Sequence, residues 1–181
     1  MEEFIVWLRR HRIGTIVKLR DFLLHLTGVC GVTPLSATLS IRIFRRDGSV
    51  EDRGIVSIHQ VTDDFVGLLV DTLQGLGSDW DAFKYHDSGE DNTAEDATDS
   101  VLGSPCGDSR DAGTQTEGAT ANIYKSAATH TYAGTYTIVE HGLFNASANG
   151  ILMDRSVFTA VGVESGDKIE FTYQLTCTSG G

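Results

Sequence analysis

The chain has 181 residues, 40% of them hydrophobic, enough to bury about 70% of the unfolded surface around one core with little left for a second domain. Its net charge of −11 is uneven: residues 1–50 hold eight Lys/Arg against four Asp/Glu, whereas residues 51–181 hold six against twenty-one. An acidic body would meet phosphate repulsion before gaining any contact, which argues against a nucleic-acid partner, and three scattered cysteines with no C-x-x-C pair argue against a disulfide framework or a zinc site.

Residues 3–27 show helical spacing. Phe4, Trp7, Leu8, Ile16, Leu19, Leu23 and Leu26 recur at that period, with Arg9, Arg10, Arg12, Lys18 and Arg20 mostly elsewhere on the wheel. Gly14 is a possible break and Gly28 a C-terminal stop. A basic amphipathic helix can pack on its own domain, dock on a partner protein or lie on a membrane surface, in that order of expectation. The opening Glu2 and Glu3 and the arginines that interrupt the apolar segment do not read as a secretory signal. From Phe22 to Ile41 no Asp, Glu, Lys or Arg occurs, but Gly28, Gly31, Pro34, Ser36, Thr38 and Ser40 make a poor membrane span, so no membrane contact by a spanning helix is expected.

At Leu39 the period switches to two. Leu39, Ile41 and Ile43 alternate with Ser40 and Arg42, and Asp47-Gly48 turns the chain toward Val50, Ile55 and Val56, which predicts a hairpin. Thr62 with Asp63 and Asp64 reads as a cap and acidic first turn. One short helix carrying Phe65, Val66, Leu68, Leu69 and Leu73 follows, ended near Gly75 or Gly77. Residues 86–120 are polar and read as a long surface loop. Between Asp79 and Asp111 ten carboxylates face two cations, but counting from Asp87 the sixth position is Asn92 where an EF-hand needs glycine, so a solvated acidic loop is expected in place of a calcium site.

From Asn122 onward short strands recur. Tyr132, Tyr136 and Ile138 share one face, Gly142, Asn145, Asn149 and Gly150 mark turns, and Ile151 to Phe158 forms a further strand. In the last strand Ile169, Phe171, Tyr173, Leu175 and Cys177 alternate with Lys168, Glu170, Thr172, Gln174 and Thr176. The turn at Ser165-Gly166-Asp167 makes Phe158 to Cys177 a hairpin candidate, and Cys177 is expected to be a small buried hydrophobe. The fold class expected is mainly β: an antiparallel β-sandwich or jelly-roll-like domain over residues 39–181, with an acidic loop at 86–120, preceded by a basic helical leader and linker over residues 1–38.

Chemistry is sparse. Glu140, His141 and Asp154 could be arranged as an acid/base group, but no Ser or Cys in a nucleophile-elbow setting accompanies them, and a turn histidine is the favoured reading. Tyr85-His86-Asp87 are adjacent on a strand end and point in different directions. Ser104 and Ser109 lie in the polar loop with no base at readable spacing, and the glycines match no phosphate-cradling motif. No catalytic, cofactor-binding or metal residue is assigned, no cofactor is expected, and the chain is not expected to be an enzyme.

The segments Phe83-Lys84-Tyr85-His86-Asp87-Ser88-Gly89, Gly113-Thr114-Gln115-Thr116-Glu117-Gly118, Asn122-Ile123-Tyr124, Glu140-His141-Gly142-Leu143-Phe144, Leu152-Met153-Asp154-Arg155-Ser156-Val157-Phe158, Ser165-Gly166-Asp167 and Ser179-Gly180-Gly181 resemble motifs of a family of small virion structural proteins of tailed bacteriophages. The similarity spans about Leu39 to Gly181; the leader does not share it. The resemblance implies a particle component located in the virion and assembled in the host cytoplasm. Its most direct form is a capsid decoration or cement protein that binds the major capsid protein as a homo-oligomer, a trimer favoured, with the leader docked on an acidic or apolar groove of the capsid protein. A neck, tail or fibre component is the alternative, with Trp80 or Tyr85 offering a sugar-stacking platform. A polysaccharide hydrolase using Glu140 or Asp154 is the remote one.

Overall fold

The computed structural model describes residues 35–59, 61–76, 83–107 and 109–177. The basic segment read as a helical leader lies almost wholly outside them, as do Cys30 and Trp80. The described chain is mainly β, with two antiparallel sheets and one short helix.

Strand β1 (Leu35–Phe44) begins four residues ahead of the expected boundary. It buries Ala37, Leu39, Ile41 and Ile43 and turns the intervening residues outward, as its period-two pattern requires. The expected hairpin joins it to β2 (Val50–His59). Gly48 takes φ +86° in the turn and donates to the Arg45 carbonyl, while the Asp47 carboxylate accepts from the Ser49 amide.

Helix α1 (Asp63–Leu73) starts where the cap signal placed it. Thr62 Oγ1 accepts from the Phe65 amide at 3.3 Å and also donates to the Leu152 carbonyl, so the cap fastens the helix to a strand as well as satisfying its first turn. Gly75, at φ +76°, follows the C-cap Gln74. Phe65 and Leu68 point inward.

Then come β3 (Tyr85–Gly89), β4 (Asp111–Ala112), β5 (Thr114–Glu117), β6 (Ile123–Thr131), β7 (Tyr136–Phe144), β8 (Leu152–Val163) and β9 (Lys168–Cys177). One sheet has the order β2-β1-β9-β6-β5 and the other β4-β3-β7-β8. Both contribute to one apolar cluster: Leu39, Ile41, Ile43, Ile169 and Phe171 from the first meet Ile138, Phe158, Val161 and Val163 from the second. A second cluster joins Ala37, Tyr173 and Leu175 to Leu143 and Met153, with α1 added through Phe65 and Leu68.

Five expectations are corrected. Residues 86–120 are not one loop. They hold most of β3 and all of β4 and β5; β4 and β5 are short edge strands that need no apolar alternation, and β3, though interior, buries the polar His86 and Ser88. Gly142 marks no turn and His141 is no turn histidine; both lie within β7, which is buried along most of its length. The turn at Ser165-Gly166-Asp167 exists, with Gly166 at φ +93°, but β8 and β9 belong to different sheets, so it is an arch between sheets and no hairpin. A turn signal specifies reversal of the chain and does not specify which strand the returning segment pairs with. Cys177 is exposed, because it is the last residue of β9, beyond the covered face. Among the described residues, no helix is long and apolar enough to cross a membrane.

Candidate functional site

The sheet of β4, β3, β7 and β8 is covered on both faces, and its ionisable residues gather there. Side chains alternate along β7, so Glu140 and His141 point to opposite faces. Both are fully buried, as is Asp154.

On the outer face, Glu140 receives four hydrogen bonds. Arg155 Nε donates to Oε2 at 2.8 Å and the Gly103 amide to Oε2 at 3.0 Å; the Ser104 and Asp91 amides donate to Oε1 at 2.8 and 3.3 Å. Arg155 also donates to the Asp99 and Asp91 carboxylates, each at 3.1 Å, and to the Thr93 carbonyl at 3.2 Å. Burial works against the guanidinium charge. The hydrogen bonds that the guanidinium donates to Glu140 and Asp99 outweigh that and hold the group above its usual value. The acidic segment 90–107 is therefore fastened to the sheet by one buried cation. Leu102 completes the attachment by packing on Phe144 and Leu152.

This closeness depends on bare backbone. At Gly142 a Cβ would lie 2.8 Å from Phe144, 2.9 Å from Leu102 and 3.1 Å from Leu152; at Gly89 it would lie 2.4 Å from both the Glu140 carboxylate and the Ser104 carbonyl. Farther along, Arg110 donates to Asp87 at 3.2 Å and to the Ala146 and Asn149 carbonyls, and its guanidinium carbon sits 3.3 Å above the Phe144 ring. Burial pushes the Asp87 carboxyl up, with Arg110 opposing it.

On the inner face, a polar chain crosses between the two sheets. Ser126 Oγ on β6 lies 2.8 Å from His86 Nε2, and His86 Nδ1 lies 2.9 Å from His141 Nε2. Ser126, His86 and His141 are all buried, and the His141 ring packs on Phe171 at 4.7 Å. Gly113 closes over the pair, since a Cβ there would meet Ser126 Oγ at 2.7 Å and His86 Nε2 at 2.8 Å. Burial lowers the His86 pKa to about 3, so the His86 imidazole enters both contacts as the neutral ring near neutral pH. Ser156 Oγ donates to Asp154 at 2.9 Å, and burial, aided by the Asp154 charge, raises the Tyr173 phenol well above its ordinary value. Ser88 Oγ and the Tyr132 hydroxyl are 3.0 Å apart.

The candidates from sequence are thus brought close but separated by the sheet. Glu140 faces the 90–107 segment; His141 and Asp154 face the opposite sheet. They form no common acid/base group. Of Tyr85-His86-Asp87, only His86 reaches the inner chain, and Tyr85 packs beside Phe144 and Leu152. Ser104 serves through its amide, Ser109 is exposed, and among the described residues no three His, Cys, Asp or Glu side chains are grouped to hold a metal ion. Arg155 and the Ser126–His86–His141 chain were not foreseen. The available signal was Asp154-Arg155 in the middle of an apolar strand, where two charges demand partners.

Comparison with known proteins found no matching family model, no matching curated protein and no matching solved structure.

Proposed function

We propose that the chain is a virion structural subunit, a capsid decoration protein whose body is a β-sandwich that assembles as a homo-oligomer, a trimer favoured, and binds the major capsid protein. One observation carries this reading. The segments that resemble phage virion proteins, Phe83–Gly89, Gly113–Gly118, Glu140–Phe144 and Leu152–Phe158, meet around β7, where buried polar groups on its two faces hold the 90–107 segment on one side and contact the opposite sheet on the other. A carboxylate saturated by an arginine and three amides is suited to fixing a shape. Shape and register are what a subunit that clamps its neighbours requires.

Purified particles of the parent phage test the proposal. The chain should be present at a copy number that matches the capsid lattice, and electron microscopy should place it on the head. A copy number matching a single ring at the neck or tail favours the alternative location. Absence from particles, or release of sugar from host surface polysaccharide by the isolated protein, overturns the reading.

A further inference from the structure

Helix α1 is covered on one side only. Phe65 and Leu68 are buried, but Val66 and Val70 are 43% and 48% exposed, and Leu73 and Leu76 are 80% and 74% exposed. Val66, Val70 and Leu73 are spaced i, i+4, i+7 and so form one stripe, which Leu76 extends just past the helix end. Asp64 and Asp71, seven residues apart, line the other outer flank. Gly67 lies between the flanks with open space where a side chain would stand. Residues 63–76 contain no Lys, Arg or His. The surface is therefore an apolar lane with a smooth crown and an acidic border that no cation of the helix itself offsets.

Charge limits what can cover it. A two-fold pairing of α1 with α1 would bring Asp63, Asp64 and Asp71 of both copies together, a like-charge arrangement that disfavours the contact. The complementary occupant is an apolar stripe bordered by cations. The same chain encodes one in residues 4–26, where seven large apolar residues at helical spacing accompany Arg9, Arg10, Arg12, Lys18 and Arg20.

We infer that the exposed face of α1 receives the segment Phe4–Leu26 of a second copy of the chain. Each copy then offers one arm and one receiving face, a head-to-tail contact that closes into a ring when the rotation permits. Apolar contact with Val66, Val70, Leu73 and Leu76 supplies the affinity; Asp63, Asp64 and Asp71 set which partner is accepted. This goes beyond the virion reading and does not rest on it: it assigns the leader to a neighbouring copy instead of the capsid protein, and holds wherever the assembly acts.

The test uses the full chain, with a photoreactive benzoylphenylalanine in place of Leu73, in an equal mixture of unlabelled and 15N-labelled copies. After irradiation, mass spectrometry should find residue 73 joined to a peptide from residues 4–26, with mixed-isotope adducts present. Adducts of one isotope only would mean that each chain covers its own face. Adducts to residues 63–76 would mean that α1 pairs with itself. Either result, or no adduct, overturns the inference. In sedimentation equilibrium, Leu73→Asp and the separate pair Asp64→Lys with Asp71→Lys should each weaken self-association by ~10-fold or more, with the circular dichroism spectrum of the body retained. Unchanged association in both variants overturns it equally.

Discussion

Arg155 stands opposite Gly142 in the β7/β8 register, and its guanidinium reaches from there to Glu140 Oε2 at 2.8 Å, two residues away along the neighbouring strand. Because Gly142 has no side chain, Leu102 of the 90–107 segment can settle against Phe144 and Leu152 there, while the one cation of Arg155 serves Glu140, Asp91 and Asp99 together.

Arg155→Met should cost about 3–5 kcal/mol, because it removes the buried cation and leaves the Glu140 carboxylate buried without its charge partner. Chemical denaturation measures the loss. Limited proteolysis should show cleavage within residues 90–107 before the rest of the body is cut. Glu140→Gln keeps the volume and removes the charge, and should fall between wild type and Arg155→Met.

Gly142→Ala should destabilise by about 1–3 kcal/mol, since the added methyl lies within contact of three packed side chains that cannot all withdraw. Gly162→Ala is the matched control: it lies in β8, with no atom within 4 Å of the added carbon, and should change the denaturation midpoint by less than about 0.5 kcal/mol.

Acid should weaken the fold through His86. In the unfolded chain this imidazole takes up a proton near its ordinary pKa of 6.5, whereas burial delays uptake in the folded state to about 3. The unfolded state therefore binds more protons between those values, and stability falls as the pH drops through that window, by a limit on the order of 5 kcal/mol. Urea midpoints across the window should fall steadily toward acid. A His86→Asn variant should show a flatter profile, and an unaltered slope would remove His86 as the cause.

Thr62→Ala should cost about 1–2 kcal/mol, as it loses both the cap to the Phe65 amide and the bond to the Leu152 carbonyl. Amide exchange should rise in α1 first. Thr62→Ser keeps the hydroxyl and should recover most of the loss.

Local chemistry was legible in the sequence wherever one element decides its own outcome. The alternation in Leu39, Ile41 and Ile43, the Asp47-Gly48 turn and the Thr62 cap each specify a conformation from within a few residues. Pairing was less legible. The sequence around Gly166 specifies a reversal, but β9 lies between β1 and β6 through pairs 37 or more residues apart in the chain. The polar hub was hidden for a similar reason. Ser126, His86 and His141 come from three strands, and no spacing along the chain connects them. Glu140 was visible as an unusual residue, yet its role depends on amides of residues 91, 103 and 104, which any side chain could supply.

Because β7 is packed from both sides, a substitution at residues 140–144 is screened by two different sets of neighbours. Strand β2, at a sheet margin with Glu51 and Asp52 exposed, answers to far fewer. Sequence drift in distant relatives should therefore accumulate fastest at that margin and slowest in Glu140–His141–Gly142. The tip of the turn leading into β2, at Asp47-Gly48, is accordingly the place where a foreign peptide can be carried on the surface with the least disturbance to the interior, whereas Arg45 and Arg46 beside it are bound to Gly162, Glu164 and Asp167.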